Sequence, residues 1–209
     1  MIIINENSIY ERGKPKGYKV AAQRRTQLRA IGNDVREFLK HIGCYKGKYY
    51  IDVIHLLENT LPKAGYKYHI VDDAEFSDTA AFTIPEKRLI VLRNSIYEGL
   101  FSNDPFSRYT VIHEFAHIIL DHSITLHRNA VLGQHEWYED SEWQANNLAA
   151  EIMMPIQAIQ ELDCAPILIM HECGVGSQAV SYRLDNLNRE GLFHGNEKKI
   201  KGHSRVPAL

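Results

Sequence analysis

The chain has 209 residues, 44% of them hydrophobic and 24% charged, with 24 Lys+Arg against 26 Asp+Glu for a net charge of −2. These values fit one globular domain with at most a small appendage, and they exclude wholesale disorder, a uniformly basic nucleic-acid coat and an acidic tail protein. Cys44, Cys164 and Cys173 are too few and too scattered for a disulfide framework, no apolar run nears the ~18 residues of a membrane span, and the N-terminus lacks a secretory pattern, so a reduced, cytoplasmic protein is expected.

Residues 1–18 hold Gly13, Pro15 and Gly17 and read as a loosely ordered lead-in. Over residues 19–43 the apolar positions Val20, Leu28, Ile31, Val35, Phe38, Leu39 and Ile42 recur at three- and four-residue steps, which predicts an amphipathic helix weakened at Gly32. Glu11 to Lys48 carries eleven Lys/Arg and three Asp/Glu, whereas Asn129 to Tyr182 carries eight Asp/Glu and no Lys/Arg. A basic arm beside an acidic half fits a nucleic-acid contact, a self-contact or a charged partner; a solvated basic helix face is the plain alternative.

A short helix is expected over 51–60, stopping before Pro62. Tyr66 to Val71, Thr79 to Ile84 and Arg88 to Leu92 are rich in strand formers, with Pro85-Glu86-Lys87 as a hairpin turn. An α+β fold with a small, mostly antiparallel sheet follows. After Asn103-Asp104-Pro105 the pattern turns helical. Pro166 to Glu172, the turn Gly174-Val175-Gly176 and a helix from Ser177 to Glu190 could form a helix-turn-helix with Arg183 and Arg189 on phosphate, or a hairpin packing Val180, Leu184 and Leu187. The expected division is a basic lead-in and helix over 1–48, a core over 49–165, a helical hairpin over 166–195 and a flexible tail over 196–209.

The chemistry centres on His113-Glu114-Phe115-Ala116-His117, an HExxH. Helix positions four apart are offset by about 40°, so both imidazoles face one ion, while Glu114, about 100° from His113, can stand beside it as a base. Ile112, Phe115, Ala116 and Ile119 would bury the opposite face. Neutral imidazole suits zinc, and three protein ligands plus water is the catalytic arrangement. Two histidines on a surface helix, or in a core with backbone partners, are the alternative.

A third ligand should lie downstream. Leu120 and Ser123 stand where a metzincin needs Gly and His. Cys44, the sole upstream cysteine, has no surroundings that support a deformylase-like site. The best candidate is Glu142, on a helix beginning at Ser141 with a Ser141-x-x-Gln144 capping box. Asn146, one turn on, could orient a histidine. Glu136, Glu139 and Asp140 are rival carboxylates, and Glu142 could simply complement the helix dipole.

Two stretches carry a family resemblance. Arg108-Tyr109-Thr110-Val111-Ile112-His113-Glu114-Phe115-Ala116-His117-Ile118-Ile119-Leu120 and Glu142-x-x-Ala145-Asn146-x-Leu148-Ala149-Ala150-Glu151-Ile152-Met153-Met154-Pro155 together resemble the ImmA/IrrE zinc metallopeptidases. Ala116, Gln144 and Leu148 depart from the usual Gly, acidic residue and Phe. The resemblance covers about residues 50–193. It implies a zincin-like (gluzincin) fold, with a small sheet over the HExxH helix and the Glu142 helix crossing it. It also implies one Zn2+ on His113, His117 and Glu142, and Glu114 as the catalytic base.

By the same resemblance the chain would be a cytoplasmic endopeptidase that cleaves a helix-turn-helix repressor and derepresses phage, mobile-element or stress genes. The alternative is a non-proteolytic regulator that binds a repressor or DNA, with a structural or vestigial zinc. Tyr138, His135 and His127 are candidates to steady an oxyanion. His122 is expected to cap the HExxH helix or brace the site.

Overall fold

The structure is a computed structural model, and it describes residues 16–75, 79–122 and 134–193. The first fifteen residues, His127 and the tail expected over 196–209 lie outside the described residues. The fold is α+β. Helix α1 (Arg25–His41) is followed by a helical run made of α2 (Val53–His55), a π-helical turn (Leu56–Thr60) and α3 (Leu61–Lys63). Strands β1 (Lys67–Val71), β2 (Ala81–Ile84) and β3 (Leu89–Arg93) come next, then α4 (Asn94–Phe101) and α5 (Pro105–Ile119). A 3-10 turn (Trp137–Glu139) leads into α6 (Ser141–Met153), and α7 (Ile156–Glu161), α8 (Pro166–Cys173) and α9 (Ser177–Arg189) complete the described chain.

The sheet is mixed, in the order β1-β3-β2. The β2–β3 hairpin is antiparallel and turns through Pro85–Lys87, as the sequence predicts, but β1 pairs with β3 in parallel, Lys67 opposite Leu89. Turn residues announce a hairpin locally, whereas a crossover leaves no such mark. The helical run also passes through Pro62 instead of ending before it: a π-helical turn over Leu56–Thr60 stands before the proline, and the run closes one residue after it, at Lys63.

Helix α5 starts as its sequence asks: the Asp104 carboxylate accepts from the Ser107 N–H at 2.7 Å, and Pro105 is the first helical residue. It is buried from Ser107 to Ala116, so it lies inside the protein rather than on an amphipathic surface. Ile119, expected inside, is 37% exposed where the helix ends.

Helix α6 crosses α5, with Ala145, Leu148 and Ala149 fully buried between its neighbours. Helix α1 packs on α6, and Gly32 marks the closest approach: a Cβ there would lie 2.8 Å from Glu151 Cβ. The glycine that weakens the helix pattern is thus a packing device. One core joins Leu28, Val35 and Leu39 of α1 to Ile112 of α5, Leu148 and Ile152 of α6, and Val180 and Leu187 of α9.

Much of the charge asymmetry is spent inside the fold as a self-contact. Arg183, buried on α9, donates to both Glu151 carboxylate oxygens, at 2.8 Å from Nη1 to Oε1, and from Nε to the Met154 carbonyl. Arg29 joins Glu151 and Glu190 from α1, and Arg25 reaches Glu190 and Asn147. Arg183 therefore does not face phosphate, and its partners explain why a cation sits in an apolar stripe. Arg189 is exposed.

Candidate metal centre

His113 and His117, one turn apart on α5, meet Glu142 from the first turn of α6. His113 Nε2 lies 3.2 Å from Glu142 Oε2, His117 Nε2 lies 3.3 Å from Glu142 Oε1, and the two Nε2 atoms are 3.0 Å apart. Donors about 2.0–2.2 Å from a tetrahedral ion stand about 3.3 Å from one another, so these separations match three corners of a zinc tetrahedron. Two imidazoles and a carboxylate are a donor set that zinc accepts, and these three residues form a group able to hold a metal ion.

The rival carboxylates are engaged elsewhere. Asp140 is the N-cap of α6, its Oδ1 accepting from the Trp143 N–H at 2.8 Å. Its Oδ2 takes the Gly17 N–H at 2.7 Å and lies 3.0 Å from His135 Nε2. Glu136 and Glu139 cap the 3-10 turn before α6, and Glu139 also pairs with Lys19. The cap at Asp140 shifts the expected capping box by one residue: Ser141 is the first helical residue, and its Oγ accepts from the Tyr18 N–H at 3.0 Å. The Gln144 side chain is thereby free for another task.

Electrostatics bind the three groups together. Burial works against a charged His117, but Glu142, with Glu114 and Asp140 behind it, outweighs burial and raises its pKa. Burial likewise works against ionised Glu142, but the two histidines prevail and hold it below the ordinary carboxylate range. Burial, reinforced by His117, pushes His122 down to about 4, which keeps that ring neutral.

The surrounding residues fix the geometry. Asn146 Oδ1 lies 3.1 Å from His113 Nδ1, the orienting contact expected from its position one turn after Glu142. His122 stands beside His117: Asp121 adopts a left-handed conformation (φ 48°), the His122 N–H donates to the His117 carbonyl, and the His122 ring turns back to place Nδ1 3.0 Å from His117 Nδ1. Glu114 is buried, and the Thr83 hydroxyl of β2 donates to its Oε2 at 2.7 Å.

His135 is occupied with Asp140, and the Tyr138 ring packs edge-on against Trp137.

Two features escape the sequence. Thr83 reads there only as a strand residue. The segment from Gly17 to Gln23, expected as lead-in and helix start, instead lies along residues 138–141: Lys19 forms an antiparallel bridge with Asp140, Val20 N–H donates to the Glu139 carbonyl and Gln23 N–H to the Tyr138 carbonyl. Gly17 allows this approach, since a Cβ there would lie 2.3 Å from Ser141 Oγ and 2.9 Å from Glu142 Cγ.

This constellation coincides with a family match. Residues 78–185, a little over half of the chain, match the model of the IrrE N-terminal-like domain, a peptidase family (Peptidase_M78). The chain belongs to that family. The matched span holds Thr83, both histidines, Glu114, Glu142 and Asn146. Among solved structures, a Mycobacterium tuberculosis transcriptional regulator shares the fold, with a TM-score of 0.51 and 16% identity over 75% of this chain and 47% of that one. The chain thus corresponds to about half the length of that regulator. No curated protein matches it. Among the described residues no helix is long and apolar enough to cross a membrane.

Proposed function

We propose that the chain is a zinc-dependent endopeptidase that cleaves a regulatory protein in the cytoplasm, a helix-turn-helix repressor being the substrate class. The observation that carries this reading is Glu114. A structural zinc needs no adjacent base, yet here a buried carboxylate stands between the two histidines in sequence and is held by Thr83. His113, His117 and Glu142 would hold one zinc ion. When bound, that ion supplies Lewis acidity toward a scissile carbonyl and toward water. Glu114 takes the proton from the attacking water at its carboxylate and passes it to the departing amine. Thr83 keeps that carboxylate turned toward its task, and Asn146 steadies the His113 ring.

The repressor as substrate is supported by the family and by the fold shared with the Mycobacterium tuberculosis transcriptional regulator. The rival reading, a regulator that binds DNA itself, loses one of the two phosphate contacts proposed for the hairpin, because the Arg183 guanidinium is held by Glu151. An acidic docking face for the substrate is also weaker than the sequence implies. Asp140, Glu142 and Glu151 are internal, and Glu139 and Glu161 pair with Lys19 and Lys48. Specificity then rests on shape complementarity with the substrate more than on a long-range field.

The test is incubation of the zinc-loaded protein with a helix-turn-helix repressor encoded beside its gene, with and without a chelator. Cleavage at one bond that stops on chelation supports the reading. Tight sequence-specific DNA binding in a gel shift, with the repressor left intact, supports the DNA-regulator reading instead.

A further inference from the structure

The two histidines facing Glu142 are oriented in different ways. His113 meets an amide directly, through Asn146. His117 meets a second imidazole, and an imidazole can present either a proton or a lone pair. Something must decide which.

We propose that Gln144, acting through His122, fixes the tautomer of His117 and so aims its Nε2 lone pair at the metal position. Gln144 and His122 are thus positioning residues for the proposed zinc site. The chain of contacts starts at the Gln144 amide. Its Nε2 lies 2.8 Å from the Ala21 carbonyl and 2.8 Å from the Tyr138 carbonyl. Both are pure acceptors, so the amide nitrogen must face them, and a flip would set an oxygen against two oxygens. That leaves Gln144 Oε1 facing His122 Nε2 at 3.1 Å. A carbonyl oxygen only accepts, so His122 carries its proton on Nε2. The neutral ring then has a lone pair on Nδ1, 3.0 Å from His117 Nδ1. The N–H of that pair must come from His117, so that in its neutral, metal-ready form the lone pair sits on Nε2, directed at Glu142 and His113.

For a neutral His122 ring each step follows from donor and acceptor type, and the far end is backbone. Residue 144 therefore cannot be replaced by a group that lacks an N–H pair on one side and an acceptor on the other without freeing the His122 ring. The relay also gives the seating of residues 17–23 along 138–141 a role at the metal, because the Ala21 carbonyl is one of the two anchors of the amide.

The inference rests on the zinc reading, and the experiment separates the two. Two-bond 1H–15N correlation spectra of histidine-labelled protein, with and without zinc, report which ring nitrogen of His122 carries the proton. A zinc titration against a competing chelator reports affinity. The proposal expects His122 protonated at Nε2 in both spectra, and a zinc affinity lowered about 10–100-fold in Gln144→Met and in His122→Phe. His122 protonated at Nδ1 overturns it, as does unchanged zinc affinity in both variants. A lowered melting temperature of Gln144→Met, with unchanged affinity, would mark a merely structural amide and also overturns it. Should Gln144→Met fail to fold, the wild-type spectrum alone decides. Failure of the wild-type protein to bind zinc refutes the metal reading instead, and the metal-free spectrum still tests the tautomer.

Discussion

Helix α6 carries two buried glutamates with opposite surroundings. Glu142, at its first turn, faces two imidazoles whose ring nitrogens converge on it. Glu151, near its last turn, faces the guanidinium of Arg183 in a two-pronged pair, with Arg29 alongside. A guanidinium is always charged, so Glu151 is fully answered by the protein itself and braces α9 and α1 against α6. An imidazole is charged only when protonated, and its neutral form offers a lone pair. Glu142 and its partners therefore make a site that an external cation can complete. Burial alone does not distinguish a brace from a centre; the donor chemistry opposite the carboxylate does.

The largest effect on stability is expected at the Glu151–Arg183 pair. Glu151→Ala leaves Arg183 buried without its partner and should cost about 3–5 kcal/mol in chemical denaturation, while the folded fraction still takes up zinc. Replacing both partners, as in Glu151→Met with Arg183→Met, should recover most of that loss. Glu142→Ala should do the reverse: zinc affinity falls by more than about 100-fold, beyond the effect of losing an outer contact, and the fold survives.

A smaller effect is expected at Gly32→Ala. The added methyl would press on Glu151 Cβ, so an overpacking cost of about 1–3 kcal/mol should exceed the gain of about 1 kcal/mol in helix propensity, as thermal melts would show.

The pH response sharpens the contrast further. His117 is raised from its ordinary value, so the metal-free protein holds the corresponding stability below the unfolded pKa of about 6.5 and loses it as pH rises through the folded value. Zinc needs the neutral ring, so the stabilisation it confers should grow over that same rise. Melting curves with and without zinc should diverge as pH increases.

The sequence displays the parts whose logic is local. The HExxH spacing, the Asp104-Pro105 start of α5, the β2–β3 turn and the place of Glu142 and Asn146 on one helix face all depend on residues within a few turns of one another. Partners across the fold do not show in periodicity. Arg183 looks like a phosphate contact until Glu151 is opposite it, and Gly32 looks like a weak point until α6 lies against it. The parallel pairing of β1 with β3 is hidden for the same reason. Gln144 fits a capping box on local grounds, but Asp140 caps the helix because the chain near Gly17 is drawn onto it, more than a hundred residues away in sequence.

The proposed function assigns peptide hydrolysis to the Glu142 end of α6, with Glu114 as base. Its most direct test is the cleavage rate of a helix-turn-helix repressor by zinc-loaded wild-type and Glu114→Gln protein at matched zinc content. The amide keeps the size of the side chain but cannot take a proton from water at neutral pH. The rate should therefore fall by about 10²–10⁴-fold with zinc retained. A Glu114→Gln rate near that of the wild type would contradict the account.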